Sequence, residues 1–201
     1  MTAWLIVLAC TLLPIFWAVG AYNRLADLRT GYQAAFLQVT VQAKRRHDLV
    51  PGLVEIARGY LMHARQTLDG VTAARNQAFT AGVLAADDPT DKAAMHRMEA
   101  AEATLASTLE QMLALSHACP PLRADAGMQA LAGDLGSTES RLIFAQQAYN
   151  HSVAQYNEAI TQFPGSLLAT VFGFRATAPL QALRSAEDRR GLDRAPLRRR
   201  P

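Results

Sequence analysis

Residues 137–165 read STESRLIFAQQAYNHSVAQYNEAITQFPG. Within them Leu142, Ala145, Tyr149, Val153, Tyr156, Ile160 and Phe163 recur at near-heptad intervals, which line one face of an α-helix. Ser137 or Thr138 offers an N-cap, and Pro164-Gly165 offers a stop. A helix with one long apolar stripe has to bury it against other helices or a sheet, so the character of the remaining segments settles the fold class.

Three more stripes of the same period precede it. Leu25, Leu28, Tyr32, Ala35 and Val39 form the first. The second runs Val50, Val54, Ala57, Leu61, Ala64, Leu68, Val71 and Ala78, interrupted on the stripe only by Arg75. Pro51 suits either the first turn of that helix, where its missing N–H has no helical partner, or a kink inside one longer helix. After the loop LAADDPTD, Thr90 or Asp91 opens a third stripe at Met95, Met98, Leu105, Leu109 and Met112, which HACPPLRADAG (117–127) then breaks. With short connections and no alternating pattern, the expectation is an all-α fold: an antiparallel bundle of about four long helices.

Upstream lies AWLIVLACTLLPIFWAVGAY, residues 3–22, with no charge. At helical rise it spans roughly 30 Å, the thickness of a bilayer core, and predicts an N-terminal transmembrane helix. Pro14 is tolerable there, and Trp4, Trp17 and Tyr22 lie near the ends, where amphipathic rings suit the interface. A cleaved signal peptide is the alternative, but no Lys or Arg precedes the run and it exceeds the usual apolar core of about 7–15 residues. A lipoprotein site at Cys10 fits less well, because hydrocarbon continues beyond it. Arg24, Arg29, Lys44, Arg45 and Arg46 follow the span, so the positive-inside rule puts the amino terminus outside and the body in the cytoplasm, with a periplasmic body as the alternative.

The 201 residues, formal charge +3, divide into an anchor (1–22), a helical bundle (23–164), a short apolar segment (165–183) and an Arg-rich tail (184–201) expected to be disordered. Two cysteines imply no disulfide framework. The segment SLLATVFGF, 166–174, is too short to span a bilayer and suits packing on the bundle or lying in an interface. The tail, ending in Arg198, Arg199 and Arg200, offers contacts to anionic lipid, with a purely solubilising role as the bland alternative. No aromatic interleaving or nucleic-acid fold accompanies it, so no nucleic acid is expected.

Chemistry finds little footing. The five histidines share no helix at three- or four-residue spacing, and Glu-x-x-His is missing, so no metal site or cofactor is expected. His47, like the other four, reads as a surface or capping residue, and Glu99, Glu102 and Glu110 as a solvated face. There is no G-x-S-x-G elbow and no phosphate loop, so no catalytic residue is assigned. Lys44-Arg45-Arg46 reads as favourable charge near a helix end or as partners for Asp48, Glu55 or another protein.

Several separated stretches resemble the LemA family of bacterial membrane-anchored helical proteins: YNRLADLR (22–29), VQAKRRHDLVPGLVEIARGY (41–60), LDGVTAAR (68–75), CPPLRAD (119–125), STESRLIFAQQAYNHSVAQYN (137–157) and FPGSLLATVFGF (163–174). They occur in the family's order. Thr40, Gly52 and Ala64 stand where the family usually has Asp, Asn and Glu, and RATAPLQA replaces its aromatic-acidic ending. The resemblance implies a single span, an outward amino terminus and a long-helix bundle; some relatives are linked to shaping internal membranes. It implies no catalytic residue. It marks Arg45, Arg46, Asp48, Pro51, Glu139, Arg141, Tyr149, Asn150, Tyr156 and Asn157 as structural or interaction positions, the twin Tyr-Asn pairs being suited to cross-bracing helices.

The expectation is therefore a non-enzymatic scaffold at the inner membrane that works through other membrane proteins or further copies of itself. A hydrolase, or the regulatory subunit of one, is the alternative. It would require the motif's ionisable side chains to converge on a concave site.

Overall fold

The expected anchor, the first stripe and the first half of the second merge into one helix, α1 (Thr2–Tyr60). In the computed structural model the backbone is described for residues 2–180 and the side chains for residues 16–180. The Arg-rich tail, with Arg198, Arg199 and Arg200, and the side chains of most of the expected span lie outside the described residues. Among the described residues no helix is long and apolar enough to cross a membrane.

Pro51 neither starts a helix nor ends one; it stands inside α1. Without an N–H it leaves the carbonyl of His47, four residues earlier, without its helical donor. The break falls instead at residues 61–64, where the chain turns before α2 (Arg65–Asp87). The expected second helix is thus divided, Val50, Val54 and Ala57 going to α1 and Leu68, Val71 and Ala78 to α2.

Asp91 is the N-cap of α3 (Lys92–Ala118), its carboxylate accepting from the Ala93 amide at 2.8 Å. Thr90 instead bonds back to Asp88 within the preceding loop. A short α4 (Pro120–Ala124) follows, and α5 runs from Ala126 to Thr161. Its cap is Asp125, which accepts from the Met128 amide at 2.9 Å. Ser137 and Thr138 do not open the helix as expected. They lie within it, both hydroxyls bonded to the Asp134 carbonyl, because Met128 and Leu135 extend the buried stripe back beyond them. Last come α6 (Gly165–Phe172) and an extended segment through residue 180.

Short turns reverse the chain between successive long helices. α5 packs along α1 and α3 along α2, with α1 and α2 also in contact. The core is in two parts. One gathers Val50, Leu53, Ala57, Leu68, Val71, Leu105, Leu109, Met112, Leu122, Met128 and Leu135. The other gathers Leu25, Tyr32, Phe36, Val39, Ala85, Met95, Met98, Leu142, Tyr149, Val153 and Tyr156. Burying each large side chain stabilises the bundle by about 1.5–3 kcal/mol. Along α1 the division falls between Val39 and Val50, and along α3 between Met98 and Leu105. Charged residues fill both gaps.

Candidate functional site

Arg46 and His47 of α1 and Glu102 of α3 occupy those gaps, and all three are buried. Arg46 Nη2 donates to Glu102 Oε2, and His47 Nε2 lies 2.9 Å from Glu102 Oε1. Arg46 and Glu102 side chains are each only 3% exposed, so this is an ion pair inside the core. Two corrections follow. Arg46 is not solvated charge near a helix end, and neither His47 nor Glu102 is on a solvated face. Burial alone would push the Glu102 carboxyl up. The hydrogen bond from His47 and the charge of Arg46 outweigh burial and hold it below the usual glutamate range.

Glu139 of α5 approaches the same layer, half-buried, and its carboxyl is raised by burial, with the Arg46 charge pulling the other way. Two guanidinium and amide atoms remain over: Arg46 Nε and Gln42 Oε1 are buried with no hydrogen-bond partner among the described residues. Arg75 of α2 seals one side. Its Nε donates to the His47 carbonyl at 3.1 Å, its guanidinium lies 5.5 Å from the centre of the Phe79 ring, and its Nη2 comes within 4.0 Å of Asp48.

Beside this layer is a cavity of about 300 Å³. Leu37, Val41, Phe79 and Val83, all partly exposed, form its mouth, while Met98, Leu142 and Leu180 line it and His47 and Glu102 reach its wall. The lining is overwhelmingly apolar. Both Glu102 oxygens are engaged, Oε2 by Arg46 and Oε1 by His47, where the residue meets the cavity wall. Among the described residues no three His, Cys, Asp or Glu side chains converge as metal ligands.

The twin Tyr-Asn pairs do something different from bracing helix to helix alone. Tyr149 and Tyr156 are buried and meet Phe36 and Tyr32 of α1 at ring-centre distances of 5.4 and 4.9 Å. Asn150 and Asn157 turn to the extended segment. Asn157 Nδ2 donates to the Thr177 carbonyl at 2.8 Å, and its Oδ1 accepts from the Thr177 amide at 3.1 Å. Asn150 repeats this with Leu180, both bonds at 2.8 Å. Tyr149 adds a bond from its hydroxyl to the Ala178 carbonyl at 3.2 Å. The spacing explains the fit: seven helical residues rise about 10.5 Å, and three extended residues cover about 10 Å. Residues 177–180 are a strap held on α5 as though by a neighbouring strand.

The remaining motif residues do not join these groups. Arg45 and Arg141 are exposed, Asp48 reaches only toward Arg75, and Pro51 acts through the backbone. His47, Glu102 and Arg75 were missed by motif reasoning. A signal existed: Glu102 falls four residues after Met98 and three before Leu105, on the buried stripe. Arg46 likewise falls seven after Val39 and four before Val50, in step with the stripe on α1.

Long antiparallel helices, a buried Arg-His-Glu layer and a strap clasped by two asparagines define a helical-bundle domain. The model of the LemA family matches residues 35–191, and the chain belongs to that family. No curated protein gives a match.

Proposed function

We propose that the protein is a membrane-anchored helical scaffold, a single-pass protein of the inner membrane with its amino terminus outside and its bundle in the cytoplasm. It holds other membrane proteins, or further copies of itself, together through bundle surfaces concentrated by the anchor, and its Arg-rich tail adds contacts to anionic lipid. The observation that carries this reading is the Arg46-His47-Glu102 layer. Arg46 and His47 of the family motif are spent on Glu102 inside the core, where the three side chains satisfy one another as a structural layer. The rival reading, a hydrolase or its regulatory subunit, draws on the cavity that touches His47 and Glu102.

One experiment separates them. A photo-crosslinker is placed at exposed Leu37 in the full chain and in a variant whose layer is made apolar (Arg46→Met, His47→Leu, Glu102→Leu), and adducts are compared in native membranes. A scaffold gives the same adducts in both. A folded variant that loses them points to chemistry at the layer. Reporter fusions at the carboxyl terminus test the topology, and an exported body would reverse the orientation proposed.

A further inference from the structure

The two-turn helix α6 turns most of its large apolar side chains outward. Its buried positions are Gly165 and Ala169 and Leu168 packs half-buried on the core, while Leu167, Val171 and Phe172 point away from the bundle, Val171 with 69% of its surface exposed. A surface helix in water places its large apolar residues inward and charges outward. Helix α6, GSLLATVF, has no charge at all. Gly165 is required where it stands: a Cβ there would run into the Ala159 carbonyl oxygen, and this close approach to α5 commits the opposite face to the outside.

That face does not end with α6. The Tyr22 ring of α1 lies 4.9 Å from Phe172, and Trp17 lies 5.4 Å from Phe163. Trp17, Tyr22 and Phe163 are themselves exposed. The two segments therefore share one apolar, aromatic patch at one end of the bundle, of the kind that marks a contact surface. What covers it is indicated by continuity: α1 runs unbroken from this patch into the uncharged residues 3–16. Exposed Arg24 and Arg175 follow the patch in each segment, placed for lipid phosphates.

We propose that α6 and the adjoining end of α1 form a membrane-interface surface, in which Trp17, Tyr22, Phe163, Leu167, Val171 and Phe172 rest among the lipid headgroups. This rests on the anchor reading and deepens it. A single span alone leaves the bundle free to swivel; a second contact one helix away fixes how it stands on the bilayer. Trp and Tyr suit that depth, with an apolar ring body and a polar edge.

The test uses the full chain, with Cys10 and Cys119 replaced by Ala, in vesicles of phosphatidylethanolamine and phosphatidylglycerol. A nitroxide is attached through Val171→Cys or, as control, through Phe144→Cys on the exposed face of α5, 70% exposed. Collision with oxygen and with a water-soluble nickel chelate is then measured by electron paramagnetic resonance. The expected result is several-fold lower nickel access at position 171 than at 144, with higher oxygen access. Equal nickel access in a chain that resists alkaline extraction overturns the α6 surface and leaves the anchor intact. Shielding at 171 in a chain that alkali does extract supports the surface while rejecting the anchor. A chain that does not bind the vesicles overturns both. Dipolar broadening at 171 between copies overturns the proposal in favour of a self-association face.

Discussion

Arg75 donates from Nε to the main-chain carbonyl of His47, 3.1 Å away, and that carbonyl is the one deprived of its helical donor by Pro51. A side chain from α2 thus completes the hydrogen bonding of α1, which lets one helix continue through a proline. The expected outcome is that Arg75→Ala destabilises the bundle by about 1–3 kcal/mol, the cost of an unsatisfied buried acceptor. In a Pro51→Ala background the new N–H serves the carbonyl, and the same substitution costs less. Chemical unfolding followed by circular dichroism gives the double-mutant cycle, with a coupling expected at about 0.5–3 kcal/mol. Strictly additive costs would show that Arg75 acts only through Phe79 and Asp48.

The buried layer responds asymmetrically to its own removal. Glu102→Gln leaves the Arg46 charge without its counter-charge, at an expected cost of about 3–5 kcal/mol. Converting all three members to Met, Leu and Leu removes the charges together and costs less, or stabilises. Unfolding midpoints of the two variants decide the point. An apolar layer as damaging as the single change would mean that shape, and not charge, governs the site.

Acid should weaken the protein through Glu102. Its folded pKa is depressed, so its stabilisation is complete above the unfolded glutamate pKa and is lost as pH falls through the lower folded value. Glu139 has the opposite sign. Its folded pKa is raised, so its contribution favours the fold at low pH and is lost as pH climbs from the unfolded value through the folded one. Stability measured against pH should therefore fall less steeply at the acid end in a Glu102→Gln background, what remains coming from carboxyls such as Asp88 and Asp125 that are also held low. Glu139→Gln should remove the decline on the higher side, and an unchanged profile in either variant would contradict the assignment.

Releasing the strap is a local event. Asn157→Ala deletes both bonds to Thr177, and Asn150→Ala both bonds to Leu180. Hydrogen exchange of the Thr177 and Leu180 amides should rise at least tenfold in the corresponding variant, while amides of α2 and α3 keep their protection. Because Leu180 also lines the cavity, the Asn150 variant should widen it. Exchange that accelerates throughout the bundle would make the asparagines general to the fold instead of specific to the strap.

Gly165→Ala tests the seat of α6. With Ala159 in the way of the new methyl, α6 should shift off α5 and its amides should lose protection, although alanine is intrinsically the better helix former. Greater protection of α6 would refute the close approach.

By itself the sequence determined the all-helical character, the apolar stripes and the family. Periodicity, caps such as Asp91 and the Tyr-Asn spacing on α5 all depend on residues a turn or two away, where the 3.6-residue repeat governs which side chains share a face. Even so, Asp125 and not Ser137 opens α5, since a hydroxyl flanked by a continuing stripe serves equally well inside a helix. Only the tertiary structure decided that Pro51 sits in mid-helix, because its orphaned carbonyl is met from another helix. Only the tertiary structure paired Arg46 with Glu102 across 56 residues, and turned the two asparagines toward a strap twenty and thirty residues downstream. A lone acid on a stripe reads as an interruption until the base facing it is known. That partner is set by how four helices close on one another, which no local pattern encodes.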